Sequence, residues 1–375
     1  MKIGLLKEPH NEKRVALLPA NVNDLVAMKH EVWVEHEAGS HAYFDDTLYQ
    51  DAGASIAKRK EILGGCDLLI QIHPLVAEEL SDAKKEAWVL SQFNALQDTH
   101  TAYAVKNAGL TGFSMDLIPR TTRAQSMDVL SSMATVAGYK AVLEAAGQLP
   151  QFFPMFMTAA GTIKPVKLLV LGAGVAGLQA IATARKLGAQ VEAFDVRSAV
   201  KEEVLSLGGK FIEVEGARDE ANAGGYAVEQ SEDFKQRQQQ LIHDHAIKAN
   251  VVITTAQIPG RKAPLLLSKE TVEQMMPGSV VIDLAASTGG NCEVTQNAKT
   301  IVHKHVTVVG ESNFPAQLPA DASKMYGNNV MNFLKLLLKE DGSFELNFDD
   351  DIVAGTCLAH KGEFVNERVK QLLNN

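Results

Sequence analysis

Three glycines near the middle of the chain have the spacing that binding of a dinucleotide pyrophosphate requires. Gly172, Gly174 and Gly177 form a Gly-x-Gly-x-x-Gly fingerprint between an apolar segment that begins at Val166 and a helix-forming segment. The first glycine permits a tight turn, the second lets the backbone approach the pyrophosphate, and the third lets helix and strand pack closely. The helix N-terminus then faces the negative charge. This pattern predicts a nucleotide-binding βαβ unit.

An aspartate beyond the fingerprint indicates which dinucleotide is bound. Asp195 ends the strand-like segment Val191–Asp195, roughly 20 residues after Gly172, where such units carry an acid. Its carboxylate can accept hydrogen bonds from the adenosine ribose and repel a 2′-phosphate. Arg197 is close enough to leave NADP as a lesser alternative. We therefore expect NAD(H).

The composition indicates a folded, acidic chain with two domains. Its 375 residues exceed the usual size of one domain, and 46% hydrophobic with 22% charged residues is typical of globular proteins. The net charge of −9 argues against nucleic-acid binding, which needs a surplus of Lys and Arg. Cys66, Cys292 and Cys357 lack metal-ligand spacing, so we expect packing residues, a reduced compartment and no metal site. The absence of a signal-peptide pattern and of an apolar run of about 20 residues predicts a soluble, cytoplasmic protein.

Short strands alternate with helical patterns before the fingerprint, which predicts a first α/β domain. A long helix is expected from Thr121 or Thr122, either of which could cap it, through about Ala146, and it should join two domains. The expected strands are Lys2–Leu6, Val32–Glu35 and Asp67–Ile72, and the expected helices are Pro19–Lys29, Asp46–Ala52 and Thr99–Asn107.

The segments after Asp195 complete a second sheet by about residue 310. The last portion of the chain has an amphipathic helix near Ala322–Leu338 and no obvious sheet, so we expect it to return to the first domain. The fold class is then α/β, with two Rossmann-like doubly wound domains and a cleft between them. Residues 134–311 form the nucleotide domain, inserted into a domain of residues 1–133 and 312–375. The later elements are a helix near Ser198–Leu207 and strands Lys210–Val214, Val251–Thr255, Ser279–Asp283 and Val306–Val309.

Several ordered stretches resemble one known family. The most specific is Pro119–Ser132, which reads Pro-Arg-Thr-Thr-Arg-Ala-Gln-Ser-Met-Asp-Val-Leu-Ser-Ser. With the others it resembles the NAD(H)-binding component of proton-translocating nicotinamide nucleotide transhydrogenase, which shares its fold with alanine dehydrogenase. The other stretches are Lys7-Glu8, Arg14–Ala16 and Pro19, Ala38-Gly39, Tyr49, Ala52–Ala54, Thr158–Thr162, Gly224–Ala227, Thr254–Gly260, Asp283–Ala286 and Gly289–Cys292.

The resemblance implies a role for four polar residues around the nicotinamide ring, namely Arg120, Gln125, Asp128 and Ser131. The last three are spaced i, i+3, i+6, so on one helix they would share a polar stripe. Without the family, such a stripe is ordinarily solvated surface. A carboxamide needs both a donor and an acceptor to fix its orientation, and this set supplies both.

The polar, Gly-rich stretch Glu215–Glu232 is too long and too polar to fill a core, which is typical of a functional or disordered loop. By resemblance, Tyr226 within it belongs to a mobile lid that folds over nucleotide. Thr255 and Ala256 end a strand at the edge where ligands meet a doubly wound sheet, and a backbone contact through Ala256 is expected. The complete set of expected cofactor contacts is Gly172, Gly174, Val175, Ala176, Gly177, Asp195, Val196, Arg197, Tyr226, Thr255, Ala256 and Gln257.

Alanine dehydrogenase is the first alternative, because oxidising an amino acid needs a proton acceptor whereas transfer between two nicotinamides does not. That family has a lysine-rich segment near Leu69–Pro74 and a histidine near Gln92–Asn94, and this chain has neither the lysine nor that histidine. His73 could replace one member, and Arg14 matches a carboxylate-binding arginine that transhydrogenases also retain. A silent NAD(H)-binding protein is the second alternative, favoured by Met133, where close relatives tend to have glutamine.

The resemblance implies direct hydride transfer from NADH on this chain to NADP⁺ on a partner. NADH is expected in the cleft between the domains, where positioning can replace roughly 7–11 kcal/mol of barrier. The implied partners are an NADP(H)-binding beta subunit, a membrane-spanning subunit that couples transfer to protons, and a second copy of this chain. The protein is then expected at the cytoplasmic face of the inner membrane through these subunits, with no nucleic-acid partner.

Overall fold

The chain divides into two compact units, and one is inserted into the other. In the computed structural model, residues 1–9, 11–214, 231–258, 260–339 and 341–373 are described. Unit 1 comprises Met1–Met133 and Pro315–Asn375, and unit 2 comprises Ala134–Phe314. The second junction falls at Phe314 and Pro315, slightly later than the junction at residue 311 that the sequence suggested.

The N-terminal portion of unit 1 alternates strands and helices. Leu6, which we expected to extend the first strand, lies just beyond it and is fully buried. The strands are β1 (Lys2–Leu5), β2 (Glu31–Glu35), β3 (Ser55–Ala57), β4 (Leu68–Ile70), β5 (Trp88–Ser91) and β6 (Thr111–Ser114). The helices are α1 (Pro19–Ala27), α2 (Asp46–Asp51), α3 (Arg59–Gly65), α4 (Ala77–Asp82) and α5 (Thr99–Asn107).

The long helix expected from Thr121 or Thr122 begins later than the sequence suggested. Thr122–Met127 form a 3₁₀ turn, and α6 spans Val129–Gln148. Between them Asp128 has extended backbone, with φ −77° and ψ 92°, and its carboxylate accepts from the Ser131 N–H at 2.9 Å. Asp128 is therefore the N-cap, because a short acceptor side chain satisfies an N–H that the first helical turn leaves unpaired. The predicted helical stripe was wrong, since Gln125 lies outside α6.

Unit 2 contains a seven-stranded sheet and a separate hairpin. The hairpin, β7 and β8, is exposed along its whole length. The strands are β7 (Phe156–Thr158), β8 (Gly161–Ile163), β9 (Lys167–Leu171), β10 (Gln190–Phe194), β11 (Lys210–Ile212), β12 (Val251–Thr254), β13 (Val280–Asp283), β14 (Thr300–His303) and β15 (Val306–Val309). The helices are α7 (Val175–Lys186), α8 (Lys201–Ser206), α9 (Glu232–Ala246) and α10 (Lys269–Gln274).

The last segment of the chain belongs to unit 1, and it does contribute to a sheet. Helices α11 (Pro319–Leu337), α12 (Asp351–Thr356) and α13 (Glu367–Leu373) accompany strands β16 (Cys357–His360) and β17 (Glu363–Phe364). The expectation of no strands here was wrong. The sequence of β16, Cys-Leu-Ala-His, has little intrinsic strand propensity, and its pairing with β6 supplies the stability.

Both main sheets are doubly wound, which confirms the predicted α/β class. In unit 1 the order is β17-β16-β6-β5-β4-β1-β2-β3, and in unit 2 it is β11-β10-β9-β12-β13-β15-β14. Six strands of each follow the 3-2-1-4-5-6 order of Rossmann folds. They pair in parallel, whereas β14, β16 and β17 pair antiparallel at the edges. Strands β9, β12 and β13 are buried almost throughout because apolar layers cover both faces of the unit 2 sheet.

None of the helices in the described residues of the chain combines the length and the apolar character that a membrane span needs.

Candidate dinucleotide-binding site

The fingerprint turn follows β9 and requires glycine at its first position. Gly172 has φ +104°, and a Cβ there would lie 2.6 Å from Thr255 Oγ1. The Thr255 hydroxyl donates to the Gly172 carbonyl at 2.9 Å. Thr255 follows β12, the strand next to β9 on the side where the strand order reverses. The turn is therefore held across the switch point, which is where doubly wound folds bind ligands.

The second and third glycines meet the other two requirements of a pyrophosphate site. Gly174 precedes α7 with extended backbone, and a Cβ added to it would meet no described atom within 4 Å. Gly177 cannot carry a side chain, because its Cβ would lie 1.9 Å from the Gly172 carbonyl oxygen. The unpaired N–H groups of the first turn of α7, which begins at Val175, thus face open space beside the turn. This backbone cradle fits a pyrophosphate.

A glycine that the sequence analysis overlooked packs on the same turn. Gly138 lies in α6, and a Cβ there would come within 2.1 Å of the Ala176 carbonyl oxygen. Glycine inside a helix costs about 1 kcal/mol relative to alanine, so its presence in an alanine-rich helix was the available signal. Close approach of α6 to the start of α7 explains the glycine.

Asp195 lies beside the fingerprint but is already fully hydrogen-bonded. Its carboxylate accepts from the Ala173 N–H at 2.7 Å and from the Arg197 N–H at 2.9 Å. The Arg197 guanidinium donates to both oxygens, at 2.9 and 2.7 Å. These bonds use the roughly four acceptor positions of a carboxylate. A ribose bound at Asp195 therefore requires the Arg197 guanidinium to move, which makes Arg197 a member of the ribose site. Val196 between them packs against the core beneath the sheet.

The residues after β12 are held by Asn291 rather than left free for a ligand. The Asn291 side chain accepts from the Ala256 N–H at 3.0 Å and donates to the Ala256 carbonyl at 2.9 Å. The Ala256 N–H that we expected to contact cofactor is thus occupied. Gln257 is exposed, and its amide donates to the Leu284 carbonyl at 3.0 Å.

Asp283, which ends β13, organises this edge of the sheet. Its fully buried carboxylate accepts five hydrogen bonds. The sequence analysis noted this stretch only as a resemblance, because the five donors are brought together by the turn that follows. The donors are the Thr254 hydroxyl, the Ala285, Asn291 and Cys292 N–H groups, and the Thr295 hydroxyl.

The four residues expected around nicotinamide lie in unit 1, on the segment that leads into α6. The structure brings Asp128 and Ser131 together, since the Ser131 hydroxyl donates to the Asp128 carboxylate at 2.6 Å. Arg120 and Gln125 are exposed on the same segment. Tyr226 lies outside the described residues.

A buried polar cluster in unit 1 bears on the alanine dehydrogenase alternative. The Arg14 guanidinium donates to both Glu12 oxygens, at 2.8 and 2.6 Å, and both side chains are buried. Burial alone would raise the pKa of Glu12, but the hydrogen bonds and charge of Arg14 lower it further, so the net pKa is below its usual value. His73 lies 3.0 Å from a Glu8 oxygen. Arg14 is therefore engaged by a carboxylate of the protein itself.

A groove of about 470 Å³ lies at the opposite edge of the unit 2 sheet, at the amino ends of β9, β10 and β11. Basic residues line it, among them Lys167, Arg185, Lys210, His245 and Lys248. Arg185 and His245 lie in the last turns of α7 and α9, where positive charge stabilises the helix dipole. This explains the basic lining without a nucleotide, and ligands of doubly wound sheets bind at the other edge.

The three cysteines are buried and far from the fingerprint chemistry. Burial raises the pKa of Cys66 and Cys357 to about 12 and that of Cys292 to about 11. Such thiols stay protonated at neutral pH and behave as packing residues. In the described ranges, no three His, Cys, Asp or Glu side chains are grouped as a metal ion would need.

Comparisons with known proteins agree with this architecture. Residues 4–137 match the family "Alanine dehydrogenase/PNT, N-terminal domain" and residues 141–367 match "Alanine dehydrogenase/PNT, C-terminal domain". The chain is 43% identical over 376 residues to the first of the divided segments of the NAD(P) transhydrogenase alpha subunit of Rhodospirillum rubrum, covering 98% of each chain. It is 42% identical to "NAD(P) transhydrogenase subunit alpha" of Haemophilus influenzae, covering 97% of this chain and 71% of that one.

A solved structure gives the same answer. The crystal structure of transhydrogenase from Sinorhizobium meliloti superposes with a TM-score of 0.85 at 39% identity, covering 98% of this chain and 99% of that one. Identity of this level over almost the whole length goes beyond a shared fold. The chain therefore belongs to the family of NAD(P) transhydrogenase alpha subunits, built from the two alanine dehydrogenase/PNT domains.

Proposed function

We propose that this chain binds NAD(H) and contributes one of the two nicotinamide nucleotides of a proton-translocating transhydrogenase. NADP(H) is then held by a partner beta subunit, and hydride passes directly between the two rings. The observation that carries the proposal is the fingerprint cradle. There Gly172, Gly174 and Gly177 each meet the geometric demand of a pyrophosphate site, and Asp195 lies alongside.

The residues of the chain act by binding and orientation. The first-turn N–H groups of α7 and the open backbone at Gly174 hold the pyrophosphate. Asp195, with Arg197 displaced from it, accepts from the adenosine ribose. Arg120, Gln125, Asp128 and Ser131 orient the carboxamide of the ring, and Asp128 and Ser131 are already hydrogen-bonded to each other. Correct alignment is the main catalytic contribution, since the transfer needs no proton acceptor at the reacting carbons.

We propose in addition that two copies of the chain associate through the hairpin of β7 and β8. Met157 is 76% exposed, and the side chains of Phe152, Met155, Phe156 and Ile163 are also largely exposed. A cluster of large apolar side chains on a two-stranded ribbon is costly in water and typical of an interface. A second copy with the same cluster can cover it in a symmetric, self-complementary dimer. Sedimentation of the chain with Met157→Lys tests this, and an unchanged dimer would contradict it.

The proposed setting is the cytoplasmic face of the inner membrane, where the chain associates with a membrane-spanning subunit that couples transfer to proton movement. Support comes from the full-length similarity to alpha subunits of NAD(P) transhydrogenase, a name that implies further subunits. Co-purification of the chain with membranes that contain the partner subunits, and its release from membranes without them, tests this setting.

Alanine dehydrogenase activity has less support from the site. The carboxylate of Glu12 occupies Arg14, the residue that would otherwise hold a substrate carboxylate. The segment Leu69–Pro74 offers His73 in place of a lysine, and His73 is paired with Glu8. A general base with access to an amino group is thus not apparent among these described residues.

The decisive experiment mixes the purified chain with a separately produced NADP(H)-binding partner, NADPH and an acetylpyridine analogue of NAD⁺. Reduction of the analogue should require both proteins, and Asp195→Asn should weaken binding of the analogue. Tight NADH binding without transfer in the presence of partner would overturn the proposal in favour of a silent NAD(H)-binding protein. Alanine-dependent formation of NADH by the chain alone would favour the dehydrogenase.

A further inference from the structure

We infer that Asn329 and Asn332 are positioning residues that hold the Gln125–Asp128 turn in place for hydride transfer. The inference rests on the proposed function, which assigns Gln125 and Asp128 to the nicotinamide ring. Both asparagines lie on α11, about 200 residues further along the chain. Nothing in the sequence near the turn points to them.

The two side chains converge on one carbonyl group. The Asn329 Nδ2 donates to the Ser126 carbonyl oxygen at 2.7 Å, and the Asn332 Nδ2 donates to the same oxygen at 3.1 Å. Residues three apart share a face of a helix, so α11 presents both donors side by side. Because Ser126 follows Gln125 and lies two residues before Asp128, fixing its carbonyl fixes the backbone between two nicotinamide ligands.

The turn has few other anchors. Of the residues Thr121–Met127, only Ala124 and Met127 are buried, and the others are exposed. A 3₁₀ turn has poorer internal hydrogen-bond geometry than an α-helix, so it holds its own shape weakly. External donors to a backbone carbonyl are therefore the means of keeping Gln125 and Asp128 in a single orientation.

Asn329 makes this contact at a cost in stability. The side chain is 6% exposed, and its Oδ1 is buried without a hydrogen-bond partner among the described residues. Rotating the amide would give Oδ1 no better surroundings, since it would then face the Ser126 carbonyl oxygen. A buried unpaired acceptor is unfavourable, and each such group calls for an explanation. Positioning of the turn explains why an asparagine stands here rather than an apolar residue.

The C-terminal segment of the chain holds the same stretch at two more points. The Arg123 guanidinium donates to both Asp350 oxygens, at 2.7 and 2.9 Å, and also contacts Asp351. Pro119 packs against Gly355, where a Cβ would lie 2.7 Å from the proline ring. Because displacement by about 1 Å can cost roughly 100-fold in rate, these contacts matter most for the transfer step.

The test compares Asn332→Ala, Asn329→Ala and the double variant in the full chain with the NADP(H)-binding partner. The matched control is Asn328→Ala, an exposed asparagine of the same helix that lies 3.4 Å from Asn21 Nδ2. We expect kcat to fall about 10-fold for each single variant and up to about 100-fold for the double variant. The control should stay within about twofold.

A second measurement separates positioning from a loss of structure. ADP-ribose lacks the nicotinamide ring, so its affinity should be unchanged in all variants, whereas NADH affinity should fall several-fold in the double variant. Asn332→Asp keeps the volume but sets a carboxylate oxygen against the Ser126 carbonyl, and it should lose more activity than Asn332→Ala. Because Asn332 is partly exposed, these two variants should remain folded even where Asn329→Ala does not.

The outcomes decide between the alternatives. Unchanged kcat and NADH affinity in Asn332→Ala and Asn332→Asp would overturn the inference, as would a parallel loss of ADP-ribose affinity. If the unmodified chain transfers no hydride with its partner, the proposed function fails. The difference between NADH and ADP-ribose affinity in the variants then still decides whether the asparagines position the nicotinamide end.

Discussion

Replacing Asp283 by asparagine should destabilise unit 2 by several kcal/mol, although the two side chains have almost the same shape. One Asp283 oxygen accepts from the Thr254 hydroxyl and the Ala285 N–H, both at 3.0 Å. The other accepts from the Asn291 N–H at 2.9 Å, the Cys292 N–H at 3.0 Å and a hydroxyl. Asparagine keeps only one acceptor oxygen.

The magnitude follows from the donors that lose their partner. If the asparagine oxygen keeps the first two bonds, its NH₂ group faces the N–H groups of Asn291 and Cys292. The Thr295 hydroxyl can rotate and accept from the NH₂ group, but backbone N–H groups cannot. Two buried donors are then unpaired at about 1–3 kcal/mol each, so the expected loss is roughly 3–5 kcal/mol.

Urea unfolding followed by pulsed hydrogen exchange and mass spectrometry measures this loss on peptides from β12 and β13. Exchange is needed because both tryptophans, Trp33 and Trp88, lie in unit 1, so their fluorescence reports on unit 1. The matched control is Asp244→Asn, an exposed aspartate of unit 2 that accepts from the Gln240 amide. It should change stability by less than about 0.5 kcal/mol.

A loss below about 1 kcal/mol for Asp283→Asn would refute the reasoning, because it would show that the two backbone donors find other partners at little cost. NADH affinity should fall in the same variant. Asn291 donates to Ala256 and is itself held through Asp283, so the edge of the candidate site depends on that carboxylate.

Three further predictions follow from the contacts described above. Gly138→Ala should weaken NADH binding at least 10-fold, measured by titration, because its Cβ would meet the Ala176 carbonyl at 2.1 Å; Gly147→Ala in the same helix, where a Cβ meets nothing within 4 Å, is the control and should bind normally. All three thiols should resist a thiol-specific reagent in the native chain and react after denaturation, since burial raises the pKa of each to about 11 or 12; fast reaction of any thiol in the folded chain would contradict this. The pKa of Glu12 is lowered from 4.5 in the folded chain, so its ionisation adds stability above about pH 4.5 that is lost as the pH falls through the folded pKa. Urea midpoints from tryptophan fluorescence should therefore fall less between pH 7 and pH 3 in Glu12→Gln than in the parent, although Glu12→Gln is less stable at pH 7 because Arg14 loses its charged partner; equal losses would contradict the assignment.

Local spacing in the sequence was enough to predict the fingerprint and the fold class. The glycine pattern, the acid at Asp195 and the alternation of strands and helices are each contained within short windows. Such windows also predicted α1, α2 and α5 to within two residues at each end. These features depend on interactions between residues that are close along the chain.

Features that depend on distant partners were missed. The Asn329 contact with Ser126 and the pairing of β16 with β6 join residues that are more than 200 positions apart. The start of α6 was misplaced because Thr121, Thr122 and Asp128 are all suitable caps, and only the tertiary anchoring of the turn selects Asp128. The commitment of Asp195 to Arg197 was also invisible, since their spacing of two residues does not reveal side-chain direction.

The insertion of unit 2 into unit 1 has a consequence for synthesis on the ribosome. Unit 2 is continuous in sequence, whereas the sheet of unit 1 is completed only when β16 pairs with β6, across the 249 positions that separate Thr111 from His360. Until then β6 is an unprotected edge strand, and such edges promote aggregation. A nascent or truncated chain that stops before Cys357 should therefore depend on chaperones far more than the full-length chain does.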